Sequence, residues 1–279
     1  MRLVGGFGSR GLALKFAIIA VSLLFVTVPV YGKGPTHVTH AKHTNYKGGK
    51  WDPVIQQMVV SGCDVSSSVQ SCQGGYNTTQ TFGSPLPVGD VVTLTVTYAA
   101  DTASNAALTF SDTLGNRITV VSQQCTPTAP TLCTAVAYFV VTKGGYDDIF
   151  FGVVGGTPGC VHYTAEDWYA ANSGLLAPLG TKGYCNGTCS STLAMAPIVF
   201  STAPSEAIAV GTSEAYFSGQ LVSWTPSMGF YYYGNCAYST GGYGLLMQAT
   251  NSTATSYAFS STSTPVATMF AGSAEVLYV

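Results

Sequence analysis

The sequence predicts an all-β protein, an antiparallel β-sandwich of the jelly-roll or immunoglobulin-like type. From Pro53 onward short apolar or alternating runs follow one another almost without a break. Turn signals rich in Gly, Pro and Asn separate them, and no helical apolar period of useful length interrupts the series. The expected organisation is a signal peptide over 1–32, a flexible linker over 33–52 and one sandwich over 53–279. No repeat of fixed period is visible, which argues against a propeller or a β-helix.

The first segment is an export signal by its pattern. Arg2, Arg10 and Lys15 precede an apolar run from Phe16 to Val30. Such a run of roughly 15 residues suits a secretory signal better than a spanning helix, which needs about 20. Val30, Tyr31 and Gly32 place small residues where a cleavage site wants them, so cleavage is expected after Gly32, with a retained signal anchor as the alternative. A pilin-type signal would carry Glu where Ala20 stands. Residues 33–52, "KGPTHVTHAKHTNYKGGKWD", lack any apolar period and read as a linker.

The strands follow in order. "PVIQQMVVSG" is a first strand, expected to pair within its own chain. "VVTLTVTY" sets Val92, Leu94, Val96 and Tyr98 on one face and Thr93, Thr95 and Thr97 on the other, the threonines expected toward water. "LTFSDTLGNRITVVSQ", 108–123, reads as a hairpin whose corner is turned by Asp112, Gly115 and Asn116. "TAVAYFVVTKG", "YDDIFFGVVGG" and "VHYTAEDWYA" continue the series, and 172–191 reads as a loop. "LAMAPIVFS", "EAIAVGTSE", "SMGFYYYG", "GLLMQATN", "TSYAFSS", "VATMF" and "AEVLYV" complete it.

Composition narrows the function classes. Charged residues make up only 8% of the chain, against about 25% in an average soluble domain. After Gly32 seven basic residues face twelve acidic ones, a net of −5, and only Arg117, Lys143 and Lys182 lie beyond the linker. Nucleic acid is therefore not an expected partner, because no basic patch exists to neutralise phosphates. Eight cysteines behind an export signal read as four disulfides. Cys63 with Cys72, Cys125 with Cys133 and Cys185 with Cys189 are close in sequence, and elimination leaves Cys160 with Cys236. Cys185 and Cys189 have finger-like spacing, but zinc wants a second ligand pair nearby and a reducing compartment.

The order of several pieces resembles a secreted β-sandwich family of uncharacterised surface proteins of archaea, notably thaumarchaea, and of acidobacteria. The marks are a Pro-x-Gly-Asp strand start at Pro87, Gly89 and Asp90, and a Ser-Asp-Thr-x-Gly-Asn corner at Ser111, Asp112, Gly115 and Asn116. A Gly-separated strand pair, a loop at Ser173 and Gly174, and a final strand at 274–279 follow. The likeness spans roughly 60–279 and implies the fold and a surface location; it carries over no catalytic residue.

Few side chains invite chemistry. On a strand His162, Thr164 and Glu166 share one face and Asp167 the other, which reads as a polar strand face more readily than an acid–base or metal site. Asp147 and Asp148 follow a Gly-Gly turn without the acidic spacing of a calcium loop. His37, His40 and His43 repeat every three residues in the linker, a spacing that collects copper, nickel or zinc, though a mobile tail with chance histidines is the favoured reading. "GFYYYGNCAY" places Tyr231, Tyr232, Tyr233 and Tyr238 in one short stretch, a conceivable glycan-stacking strip set against ordinary core rings. Asn77, Asn186 and Asn251 open N-glycosylation sequons.

The expectation is a secreted or cell-surface structural or adhesive protein, without catalysis, cofactor or metal. Its expected partners are envelope polysaccharide or other surface proteins, with membrane contact only through an uncleaved signal. The alternatives are a carbohydrate-binding module and an extracellular filament subunit assembled by strand exchange.

Overall fold

The computed structural model describes residues 54–60, 79–100, 107–128, 131–154, 158–187, 189–217, 223–226, 231–237, 243–264 and 266–279. The described residues are nearly all strand. They run β1 (Val54–Val60), β2 (Thr79–Thr81), β3 (Val91–Ala100), β4 (Ala107–Asp112), β5 (Thr119–Cys125), β6 (Thr131–Val140), β7 (Asp148–Val154) and β8 (Pro158–Tyr169). After one 3-10 turn at Ser173–Leu175 come β9 (Ala177–Asn186), β10 (Thr192–Ala194), β11 (Ile198–Val199), β12 (Ala207–Phe217) and β13 (Ser223–Pro226). The chain ends with β14 (Tyr231–Ala237), β15 (Tyr243–Thr250), β16 (Ser256–Tyr257), β17 (Ser260–Thr264) and β18 (Ala267–Tyr278).

The sandwich plan is executed twice within residues 31–279, which form one compact unit. The first half has an inner sheet of order β1-β8-β3-β6-β5 and an outer sheet β2-β7-β4. The second has an inner sheet β9-β18-β12-β15-β14 and an outer sheet β10-β17-β13, with β11 and β16 as a separate pair. Counting strands within each half and leaving β11 and β16 aside, the two orders are the same. Apart from the β5–β6 and β14–β15 hairpins, which stay within an inner sheet, successive strands of each half alternate between inner and outer sheets in the manner of a jelly roll.

Register confirms the equivalence strand by strand. Thr95 pairs with Thr164 and with Val136; Thr212 pairs with Ser273 and with Met247. Each half carries a bulge at the corresponding place, skipping Val121 between β5 and β6 and Tyr233 between β14 and β15. The strongest sequence trace is "TAEDWY", 164–169, against "SAEVLY", 273–278.

Four layers result. Between outer and inner sheets of the first half lie Phe82, Leu86, Val92, Leu94, Phe139 and Ile149. Tyr98, Phe110 and Phe151 extend that core, Phe151 tilting against both other rings at about 6 Å. The second half buries Met195, Ile198, Tyr257, Phe259 and Val276 in the same way. The two inner sheets pack on each other through Val91, Trp168, Ile208, Val210 and Leu277. Val91 and Trp168 are the register equivalents of Ile208 and Leu277, so like meets like across this layer.

Four expectations need correction. Thr93, Thr95 and Thr97 do not face water; they are fully buried, because the second inner sheet covers that face. Residues 108–123 do not form a hairpin: β4 pairs with β7 in the outer sheet and β5 with β6 in the inner one. The corner crosses between layers. Asp112 does turn it, accepting from Asn116 N at 2.8 Å, and Gly115 adopts φ +75° as read. The supposed loop 172–191 contains β9, paired with β18 along ten residues. Gly180 there is a close-approach glycine, since a Cβ would sit 2.9 Å from the Val121 carbonyl oxygen. Finally, "VATMF" and "AEVLYV" are one strand, β18, with Gly272 inside it.

Candidate functional site

Polar chemistry gathers at three places, and all rest on carboxyl groups. The largest is the seam between the inner sheets. Its face of the first sheet carries Thr93, Thr95, Thr97, Thr164 and Glu166; the facing surface of the second carries Thr212, Glu214, Ser273 and Glu275. Strand alternation puts these residues inward and their apolar neighbours toward the two outer cores.

Glu166 is held from two sides. Thr164 Oγ1 donates to its Oε1 and Thr93 Oγ1 to its Oε2, each at 2.7 Å. Trp168 Nε1 donates to the same Thr93 hydroxyl at 2.8 Å. The Thr95 and Thr164 hydroxyls lie 2.7 Å apart, and Thr134 and Ser273 bridge the two sheets at 2.9 Å. Both Glu275 carboxyl oxygens, Glu214 Oε2, Thr97 Oγ1 and Thr212 Oγ1 are buried without a hydrogen-bond partner among the described residues. Burial pushes the Glu166 carboxyl up to about 7 against the opposing donors. Burial also holds Glu214 and Glu275 well above the usual carboxylate range, Glu166 adding to the effect on Glu275.

The second place lies within the first inner sheet, where β1 reaches past β8 to the start of β3. Gln56 Nε2 donates to Asp90 Oδ2, and burial followed by the neighbouring Asp167 pushes Asp90 up to about 8. The third is the layer-crossing corner. Asn116 Oδ1 accepts from Thr142 N, Thr142 Oγ1 and Lys143 N at 2.9–3.0 Å, while its Nδ2 donates to Asp112 at 2.7 Å. Asp147 accepts there from Thr113 N and Oγ1, and burial raises it to about 6. Asp147 and Asp148 thus fasten turns: Asp148 N is tied to Thr113 Oγ1, and its side chain to Thr81.

The other sequence candidates disperse. Cys125–Cys133 and Cys185–Cys189 are closed disulfides. Cys160 and Cys236 lie on β8 and β14, in different inner sheets. Cys63, Cys72, Asn77, Tyr238, His37, His40, His43 and the signal segment lie outside the described residues. Asn186 is exposed at the end of β9, where its Oδ1 accepts from Thr128 Oγ1 at 3.1 Å, and Asn251 is half-buried after β15. Tyr231, Tyr232 and Tyr233 fall on β14, the edge strand of the second inner sheet. His162 stands opposite Thr97 in the β8–β3 register. Among the described residues no group of three His, Cys, Asp or Glu has metal-binding spacing, and no helix is long and apolar enough to cross a membrane.

Glu214 and Glu275 escaped the sequence reading, and Asp90 entered it only as part of a strand start. The two glutamates did leave a signal: isolated acids at inward positions of strands in a chain with few charges. No family model, curated protein or solved structure matches the chain.

Proposed function

We propose that this chain is an exported structural or adhesive component of a cell surface, working as a scaffold rather than as a catalyst. The observation that carries the reading is the state of the described cysteines. Both local pairs are closed disulfides, which belong to an oxidising compartment. The basic and apolar pattern of residues 2–30 and the likeness to archaeal and acidobacterial surface proteins support the same location. A stack of four β layers suits such a role, because each sheet braces the next and the polar groups are spent on internal ties. Its surface is left to Ser, Thr, Asn and Tyr, which is the kind of surface that glycans on Asn186 and Asn251 would extend.

Labelling of intact source cells with a membrane-impermeant amine reagent tests the reading. Lys143 and Lys182 are exposed and should be modified while cytosolic proteins in the same cells stay unlabelled. Labelling only after lysis would contradict export. A carbohydrate-binding module remains the rival for the β14 tyrosines, and retention on envelope polysaccharide that is lost on replacing Tyr231 and Tyr233 would favour it.

A further inference from the structure

We propose that the seam between the two inner sheets is an acid lock: Glu166, Glu275 and Glu214 close it as neutral carboxylic acids, and loss of their protons loosens the sheets from each other. The geometry is specific. Glu166 and Glu275 are register equivalents, Glu166 opposite Thr93 and Glu275 opposite Val210, both on the sheet faces turned to the seam, and the charge of Glu166 is felt at Glu275. Both are fully buried, as is Glu214.

Nothing described in the seam balances a carboxylate. The groups that face Glu166 and Glu275 are Thr93 from β3, Thr164 and Trp168 from β8, Ser273 from β18 and Tyr138 from β6. The charge of Glu214 on β12 is felt at Tyr98 of β3, a group that is neutral when protonated and offers no counter-charge. On β9 Gly180 stands opposite Glu275, and Lys182, opposite Ser273, is exposed at the sheet edge. On β8 His162 stands opposite Thr97. Arg117 and Lys143 are exposed as well. A bound cation would need a shell of six or more oxygens for calcium, and the seam hydroxyls of Thr93, Thr95, Thr134, Thr164 and Ser273 are already engaged with one another or with Glu166. Protonation is the remaining way to bury these groups without uncompensated charge.

The sign of the effect follows from linkage. These carboxyls hold their protons in the folded chain to higher pH than in the unfolded one, so the folded state binds more protons above about pH 4, for Glu166 up to about pH 7. The Glu166 contribution is fully present below the unfolded value near 4 and is lost as pH rises through about 7, and Glu214 and Glu275 add losses in the same direction. Stability should therefore fall toward alkali, the reverse of a protein held by carboxylate ion pairs, and the fold is firmest in acidic surroundings.

Thermal melting of the intact protein from pH 4 to pH 9 tests the lock. The melting temperature should drop by roughly 10 °C between pH 5 and pH 9, several destabilising ionisations at about 2–4 °C per kcal/mol. The double variant Glu166→Gln with Glu275→Gln keeps the shape of the neutral acids and cannot ionise, so it should lose at least half of that drop. Asp90 lies outside the seam and is itself raised to about 8, so Asp90→Asn should remove a separate share of the drop that adds to that of the Gln pair. A flat or rising wild-type profile, or an unchanged drop in the Gln variant, overturns the proposal. So does stabilisation by millimolar calcium at pH 8 that EDTA removes and the Gln variant lacks, which would make the seam a cation site. Should the double variant not fold, hydrogen exchange on the wild type decides. Amides of β8 and β18 must lose protection relative to β7 above pH 8, and a uniform change across strands refutes the lock.

Discussion

Trp168→Ala should cost about 3–5 kcal/mol of folding stability, the usual range for removing a buried Trp. The ring is among the largest fully buried side chains and stands where the two inner sheets meet, packed with Val91, Ile208, Val210 and Leu277. Alanine opens a cavity that β8 and β12 cannot close without breaking register with β3 and β18. It also removes the indole donor that fixes the Thr93 hydroxyl, which in turn orients Glu166. Trp168→Phe keeps most of the volume and should cost only about 1–2 kcal/mol, chiefly the lost hydrogen bond. Guanidinium unfolding monitored by circular dichroism measures both. A loss below 1 kcal/mol for the alanine variant would mean that the inner sheets are not packed on one another as described.

Asn116→Ala should be the most damaging change outside the cores, at about 2–4 kcal/mol, because it strands several polar groups at once. Its carboxamide satisfies Thr142 N, Lys143 N and an Asp112 oxygen, tying the β4–β5 corner to the β6–β7 corner. Both corners pass from one layer to the other, so the link fixes the spacing of the first sandwich at its end. Asn116→Asp retains an acceptor but sets a second carboxylate against Asp112, and should recover stability as pH falls. Thr142→Ala removes only one of the donors to Asn116, at an exposed residue, and should cost about 1 kcal/mol or less in the same unfolding assay.

These two positions show what the sequence makes legible. The alternation in 91–98 gives β3 and its apolar face without ambiguity, and the Gly and Asn of the corner are visible as turn chemistry. Which strands the corner joins is not, because a turn dipeptide looks alike whether it closes a hairpin or crosses between sheets. Thr93, Thr95 and Thr97 illustrate the same limit. Threonine fits a strand whether its hydroxyl meets water or another hydroxyl, and only the second inner sheet decides between them. The duplication is hidden for a related reason. Equivalent positions are fixed by register, as Thr93 with Val210 or Trp168 with Leu277, and packing in each place accepts a different apolar or small polar residue. Connections differ in length between the halves, so no constant period survives. Glu214 and Glu275 are not legible because a lone Glu in a strand is ordinarily a solvated one, and Glu166 reads as a polar strand face for the same reason; their burial depends on strands more than a hundred residues apart.

The central claim is an exported, oxidised scaffold, and peptide mapping of unreduced protein isolated from the native cell surface tests it most directly. The account predicts a mature chain beginning at Lys33, Cys125 linked to Cys133, Cys185 linked to Cys189 and no free thiol among the eight cysteines. Recovery from the cell interior of a chain that still carries Phe16–Val30, with free thiols at Cys125 and Cys133, would contradict it.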